Sequence, residues 1–290
     1  MATVGAWIEG ARLRTLPAAI APVLAGTGAA AWAGAASAPR ALLAAGVALA
    51  LQVGVNFAND YSDGVRGTDD DRVGPTRLTA TGAVAPGAVK RAALLSFAVA
   101  AVLGLVLCFL AQAWWLIAVG AVSIVAAWYY TGGTSPYGYS GWGEVAVLVF
   151  FGLVATLGTT YTQAGTINPP AVLGALAVGL LSCAILMANN IRDIRTDIPA
   201  GKRTLAVRLG ETRARWAYAA MVLGGVASGA LTALWEPWAL IILMLALPAA
   251  ALVRRVLAGA QGSALIVVLR DTGFLVLGVG LLLAVVLILG

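Results

Sequence analysis

Two short polar stretches hold the side chains whose type and spacing suit chemistry. The first is Asn56–Asp71, with Asn56, Asn59, Asp60, Asp63, Asp69, Asp70 and Asp71; it begins inside an apolar run and leads to Arg72 and Arg77. The second holds Asn189, Asp193 and Asp197, followed by Lys202 and Arg203. At about 100° per residue, Asn56, Asn59, Asp60 and Asp63 share one helix face. Asn189, Asp193 and Asp197 follow i, i+4, i+8 and share another. Carboxylates brought together at a membrane rim repel. Arginine alone could pair them, but a divalent cation with oxygen ligands resolves the clash better. Mg²⁺ takes one or two carboxylates and fills its shell with water and phosphate oxygens. Two facing clusters would thus suit two Mg²⁺ ions holding a diphosphate. Arg72, Arg77, Lys202 and Arg203 add groups that grip phosphate. For Asp69, Asp70 and Asp71 a solvated loop is the simpler reading. For Asp60, Asp63, Asp193 and Asp197 at span ends, function is the default.

The elements that position these clusters are apolar helices. The 290 residues are 61% hydrophobic and 10% charged, and mean hydropathy is +0.94. Soluble domains carry about 25% charged residues. The apolar residues come in solid blocks rather than alternating, which excludes a β-barrel. The fold class expected is all-α, a polytopic membrane protein of about nine transmembrane helices around a central cavity. The spans lie near 17–36, 41–60, 88–111, 113–131, 143–163, 170–190, 214–234, 237–255 and 271–290. Residues 1–290 read as one integral-membrane domain, with metal motifs at 56–77 and 189–203 and no cleavable signal peptide.

Of 18 Lys and Arg residues, all but Arg40 fall on one side of this topology. The positive-inside rule puts the N-terminus and charged loops in the cytoplasm and the C-terminus outside. The net charge of +6 therefore reflects topology and not nucleic-acid binding. Of 12 acidic residues, all but Glu236 share that side, so a site opening to the cytoplasm is expected. The chain has no histidine, which removes Ser-His-Asp chemistry and the usual zinc and haem sites. Cys108 and Cys183 sit in apolar runs and read as packing residues. Ala58–Asp63 and Ala188–Asp193 match in pattern, suggesting two similar helical halves.

The combination of N-D-x-x-D after the second span, D-x-x-x-D after the sixth, and nine spans resembles the UbiA superfamily of intramembrane prenyltransferases. RTLPAAIAPVLAG, NDYSDGVRGTDDDRVGPTRL, YYTGGTSPYGYSGWGE and NNIRDIRTDIPAGKRTLAVRLG resemble the branch that prenylates 1,4-dihydroxy-2-naphthoate in menaquinone biosynthesis. Two positions depart from the superfamily pattern. Its first motif often continues to a third acidic position, which is Gly67 here, the next acid being Asp69. Its central loop often carries Tyr-x-x-x-Lys, whereas this loop has Tyr130 and Tyr137 and no lysine.

The resemblance implies that two Mg²⁺ ions bind polyprenyl diphosphate through Asp60, Asp63, Asp193 and Asp197, with Asn59 and Asn189 as further ligands and Asp69 as a candidate in place of the third acid. It implies that Arg14, Arg77, Lys202 and Arg203 offset the charge of the leaving group. An allylic cation would form, with Tyr130, Tyr137 and Tyr139 as candidate aromatic faces. 1,4-Dihydroxy-2-naphthoate would attack it and lose CO₂, inside an apolar chamber that keeps water from the cation. The alternatives are another acceptor, such as 4-hydroxybenzoate, homogentisate, a chlorin or haem, and, from other classes, a transporter or a structural membrane subunit.

Overall fold

The computed structural model describes residues 3–67 and 77–290. Asp69, Asp70, Asp71 and Arg72 lie outside the described residues. No strand occurs among the described residues. The helices are α1 (Val4–Ala11), α2 (Pro17–Trp32), α3 (Ala38–Arg66), α4 (Pro86–Ala111), α5 (Leu116–Tyr129), α6 (Gly143–Ala164), α7 (Pro169–Asp197), α8 (Leu205–Leu209), α9 (Glu211–Leu234), α10 (Pro237–Leu257) and α11 (Ser263–Leu289). Proline stands in the first turn of α2, α3, α4, α7 and α10. There its missing N–H is one that no carbonyl would have received.

The nine expected spans fall on nine helices, but the span count is lower. Among the described residues seven helices are long and apolar enough to cross a membrane. An eighth span forms if the bent pair Val4–Thr15 and Pro17–Trp32, which turns by 47°, counts as one. The expected fourth span is α5, with only 14 residues. A helix of that length rises about 21 Å, short of a hydrocarbon core about 30 Å thick.

Helices α3 and α7 run past the expected span ends, to Arg66 and Asp197. The acidic motifs are therefore continuations of two 29-residue helices rather than parts of loops. Helix α3 stops at Gly67, whose φ of 72° closes the helix with N–H bonds to the Asp63 and Gly64 carbonyls. Gly67 is where the superfamily pattern has a third acid. A side chain at that φ is strained, and the helix face ends there.

Helices α2, α7, α9, α10 and α11 share the main core, around Val178, Leu181, Met187, Val222, Ile242 and Val279. Small residues let these helices close up. A Cβ on Gly280 would meet Ala21 at 2.7 Å, and one on Gly152 would meet Gly179 at 2.8 Å. Such contacts substitute for a hydrophobic driving force that lipid does not supply. A second core joins α3 and α4 through Phe57, Leu78, Val89 and Phe97.

Candidate active site

At the end of α3 the four polar residues of the first motif have different partners. Asn56 Nδ2 donates to the Ala11 carbonyl (2.9 Å) and to Thr15 Oγ1 (3.0 Å), tying α3 to the bend between α1 and α2. Asn59 Oδ1 accepts from Thr131 Oγ1 at 2.8 Å. Asp60 is fully buried, and both its oxygens accept backbone N–H groups, from Leu78 and Thr79, at 2.8 Å each. This carboxylate holds the chain where it re-enters after the first loop. Asp63 is the hub. Its Oδ1 accepts from the Tyr139 hydroxyl at 2.6 Å, and Lys202 Nζ and Arg77 Nη2 stand 3.6 and 3.8 Å from Oδ2. All three charged groups are nearly buried, where opposite charges must pair.

The central loop is pinned on this helix end. The Arg66 guanidinium donates to the Thr131 and Gly133 carbonyls. The Tyr139 ring lies 5.4 Å from Arg66 and 4.7 Å from Lys202 Nζ. Tyr139 therefore belongs to the charged rim. Tyr130 and Tyr137 pack edge to face with centroids 5.5 Å apart. The Tyr137 hydroxyl donates to the Ala126 carbonyl, and burial pushes its phenol up to about 12.

On α7 the Arg192 guanidinium grips Asp193 with Nε–Oδ1 at 2.6 Å and Nη2–Oδ2 at 2.7 Å. It also donates to Asn189 Oδ1 at 2.8 Å. Asp197 is buried at the helix end, and its carbonyl accepts the Lys202 N–H at 2.9 Å. Asn190, the α7 counterpart of Asp60, donates at 2.9 Å to buried Glu144 Oε1 on α6. Arg203 is exposed, and its backbone N–H meets the Tyr139 carbonyl at 2.7 Å.

Two cavities meet these motifs. A chamber of about 330 Å³ is walled by α2–α6, with Asn56, Asn59, Tyr130 and Tyr137 on its lining and otherwise mainly apolar side chains such as Leu51, Phe150 and Phe151. A smaller pocket of about 90 Å³ gathers Arg12, Arg14, Arg77, Arg192, Arg270 and Asn189. Arg77 belongs both to that pocket and to the Asp63 cluster, so it joins the two motifs. Five guanidinium groups around so small a space make a site for a compact, highly charged anion.

Among the described residues no three acidic side chains converge as a metal cluster. Each motif offers instead a carboxylate with an asparagine one turn before it. In the second motif that pair already embraces a cation, since the Arg192 guanidinium supplies the positive charge between Asn189 and Asp193. Such a donor set suits Mg²⁺, which needs few protein carboxylates when phosphate and water complete its shell.

The structure thus brings Asp63, Lys202, Arg77 and Tyr139 together. It puts Arg14 and Asn189 on the anion pocket, and Asn59, Tyr130 and Tyr137 on the chamber. It keeps Asp60 on loop amides and Arg203 on the surface. Sequence reading did not single out Arg12, Arg66, Thr131, Arg192 and Arg270 for the site. Arg192 sits inside the Asn-x-x-x-Asp spacing of the second motif and was open to notice; Arg12 and Arg270 converge only through folding.

The UbiA prenyltransferase family matches residues 19–275. A protein from Mycobacterium tuberculosis called 1,4-dihydroxy-2-naphthoate octaprenyltransferase is 56% identical over 281 residues, covering 96% of this chain and 94% of that protein. One of the same name from Escherichia coli is 43% identical, covering 76% of this chain and 74% of its own. Among solved structures, a UbiA homolog from Archaeoglobus fulgidus bound to GPP and Mg²⁺ superposes with a TM-score of 0.71. That match is 14% identical and covers 97% of this chain and 99% of the other. At that identity the likeness concerns the fold.

Proposed function

This chain belongs to the UbiA prenyltransferase family, and on that premise we propose that it transfers a polyprenyl group from polyprenyl diphosphate to 1,4-dihydroxy-2-naphthoate. Diphosphate and CO₂ leave, and the product is the reduced quinol form of a demethylmenaquinone. The acceptor follows from the 56% identity over nearly the whole chain to a protein named for that substrate. The observation that carries the chemistry is the pairing of a large apolar chamber with a small arginine-lined pocket. A lipid diphosphate has these two ends.

In this reading the basic pocket takes the diphosphate. Arg14, Arg77 and Arg192 donate to its oxygens, and Lys202 and Arg77 offset charge that grows as the C1–O bond breaks. Asn59 and Asp63 on α3, with Asn189, Asp193 and Asp197 on α7, would hold two Mg²⁺ ions, which would neutralise the leaving group when bound. Asp60 serves by fixing the Leu78–Thr79 backbone, which delivers Arg77 to the site. The Tyr130 and Tyr137 faces line the chamber, where each is worth about 0.5–2 kcal/mol to a developing cation. The mainly apolar lining keeps water from quenching the cation. The ring carbon bearing the carboxylate attacks C1 as diphosphate departs. Loss of CO₂ returns its bonding pair to the ring, so no side chain has to remove a ring proton. The charged rim faces the cytoplasm, by the placement of basic residues.

The test uses purified protein in detergent with Mg²⁺, a long-chain prenyl diphosphate and a panel of radiolabelled aromatic acids. The expected result is an organic-extractable product from dihydroxynaphthoate together with CO₂, both abolished by chelation. Product from another acid without CO₂ would keep the family and discard this acceptor.

A further inference from the structure

We propose that Gln52 reads a ring hydroxyl of the aromatic acceptor, and so selects and orients it in the chamber; this rests on the reading given under Proposed function. Gln52 lies on α3 one turn before Asn56 and lines the chamber wall between Leu51 and Val55. It is 7% exposed. Its Nε2 donates to Thr15 Oγ1 at 3.0 Å and to Asn56 Oδ1 at 3.4 Å. Those two bonds use both amide hydrogens and set the plane of the group. They leave Oε1 buried with no hydrogen-bond partner.

An amide oxygen without a partner in an apolar wall is costly. The chamber's occupant is the natural source of a donor. Of the two substrates, polyprenyl diphosphate has none to give, because its tail is hydrocarbon and its head presents acceptor oxygens. A dihydroxynaphthoate carries two phenolic O–H groups. The unmatched oxygen therefore suits the acceptor and not the lipid. The neighbouring polar groups on this wall are otherwise engaged: the Ser123 hydroxyl donates to Val119, the Thr159 hydroxyl to Ala155 and the Tyr137 hydroxyl to Ala126. Thr15, which holds the amide of Gln52, also lines the arginine pocket, so the hydroxyl reader and the anion site share one anchor.

A wall built to bond a hydroxyl rejects the analogue that lacks it far more strongly than an apolar wall does. The experiment compares 1,4-dihydroxy-2-naphthoate with 1-hydroxy-2-naphthoate and 4-hydroxy-2-naphthoate as competitive ligands of the wild type and of Gln52→Met. In the wild type one monohydroxy compound should bind about 10- to 100-fold more weakly than the other. In Gln52→Met that difference should collapse to about 3-fold or less, while KM for polyprenyl diphosphate moves by no more than about 3-fold through the shared Thr15 anchor. The variant is checked by thermal unfolding, and the wild-type series decides if it does not fold. Equal binding of both analogues to an active wild type overturns the Gln52 assignment alone. So does a variant that weakens lipid and acceptor alike. A wild type that prenylates no hydroxynaphthoate overturns the functional reading, and this assignment with it.

Discussion

The Tyr139 hydroxyl donates to Asp63 Oδ1 at 2.6 Å, while Lys202 stands 3.6 Å from the other oxygen of the same carboxylate. The central loop, the end of α3 and the loop after α7 thus meet on one side chain. Asp63→Ala should leave a nearly buried lysine and arginine without their carboxylate. Prenyl transfer should fall by about 100- to 1,000-fold in kcat/KM, the range for removing a main electrostatic group. Tyr139→Phe removes one hydrogen bond and keeps the ring beside Lys202; a loss of about 10-fold is expected. Equal losses in the two variants would contradict this ranking. Steady-state kinetics on detergent-purified protein, with a thermal-unfolding control, makes the comparison.

Asp60 should behave differently from its neighbour three residues on. Both its oxygens hold backbone amides and neither faces the arginine pocket. Asp60→Ala should lower stability by about 1–3 kcal/mol for each amide left unsatisfied. Its first effect should be on the unfolding temperature, with activity per folded molecule reduced less than in Asp63→Ala. A variant with wild-type stability and no activity would instead make Asp60 a direct participant.

Glu144 and Asn190 join α6 to α7 at the start of the second motif. Glu144→Gln keeps an oxygen for Asn190 Nδ2 and should retain activity within about 3-fold. Glu144→Leu leaves the Asn190 amide buried without that acceptor and should cost about 1–3 kcal/mol. Thermal unfolding of the two variants side by side tests this. A Glu144→Gln variant as unstable as Glu144→Leu would show that the charge matters and not the hydrogen bond.

Tyr137 should not contribute an ionisation to the activity profile. Burial raises its phenol to about 12, from 10.0. Between those values the unfolded chain loses the proton first, so folding stability from this group is complete below about pH 10 and falls as pH rises toward 12. The pH–rate profiles of wild type and Tyr137→Phe should therefore superimpose between about pH 6 and pH 9. A limb present only in the wild type would overturn this.

Arg192 fills the gap between Asn189 and Asp193. Arg192→Met removes the cation there and one arm of the anion pocket. The apparent KM for prenyl diphosphate should rise about 10-fold or more, since hydrogen bonds to charged groups are worth about 1.5–3 kcal/mol. Mg²⁺ titration is the second readout: a less crowded carboxylate should shift the half-saturating concentration. No change in either would remove Arg192 from the site.

What the sequence determined by itself is what short-range periodicity and composition control. Apolar runs about 20 residues long specify helices in a membrane. The one-sided placement of basic residues is the sequence's own argument for their orientation. Asn and Asp at one-turn spacing mark the two helix faces proposed to carry the chemistry, and the resemblance in those motifs points to the family. Tertiary structure decided which partner each polar group meets. Asp60 and Asp63 are the same residue type on the same helix face. One faces the returning Leu78–Thr79 backbone, and the other faces Lys202, 139 positions away in the chain. Nothing local distinguishes them, because helical spacing sets a direction and not what lies in it. The same holds for α5, whose apolar run reads as a full span although only 14 of its residues are helical. It holds for the arginine pocket as well. Arg12, Arg77, Arg192 and Arg270 come from four distant segments, and only the packing of α2, α7 and α11 brings their charges to one point.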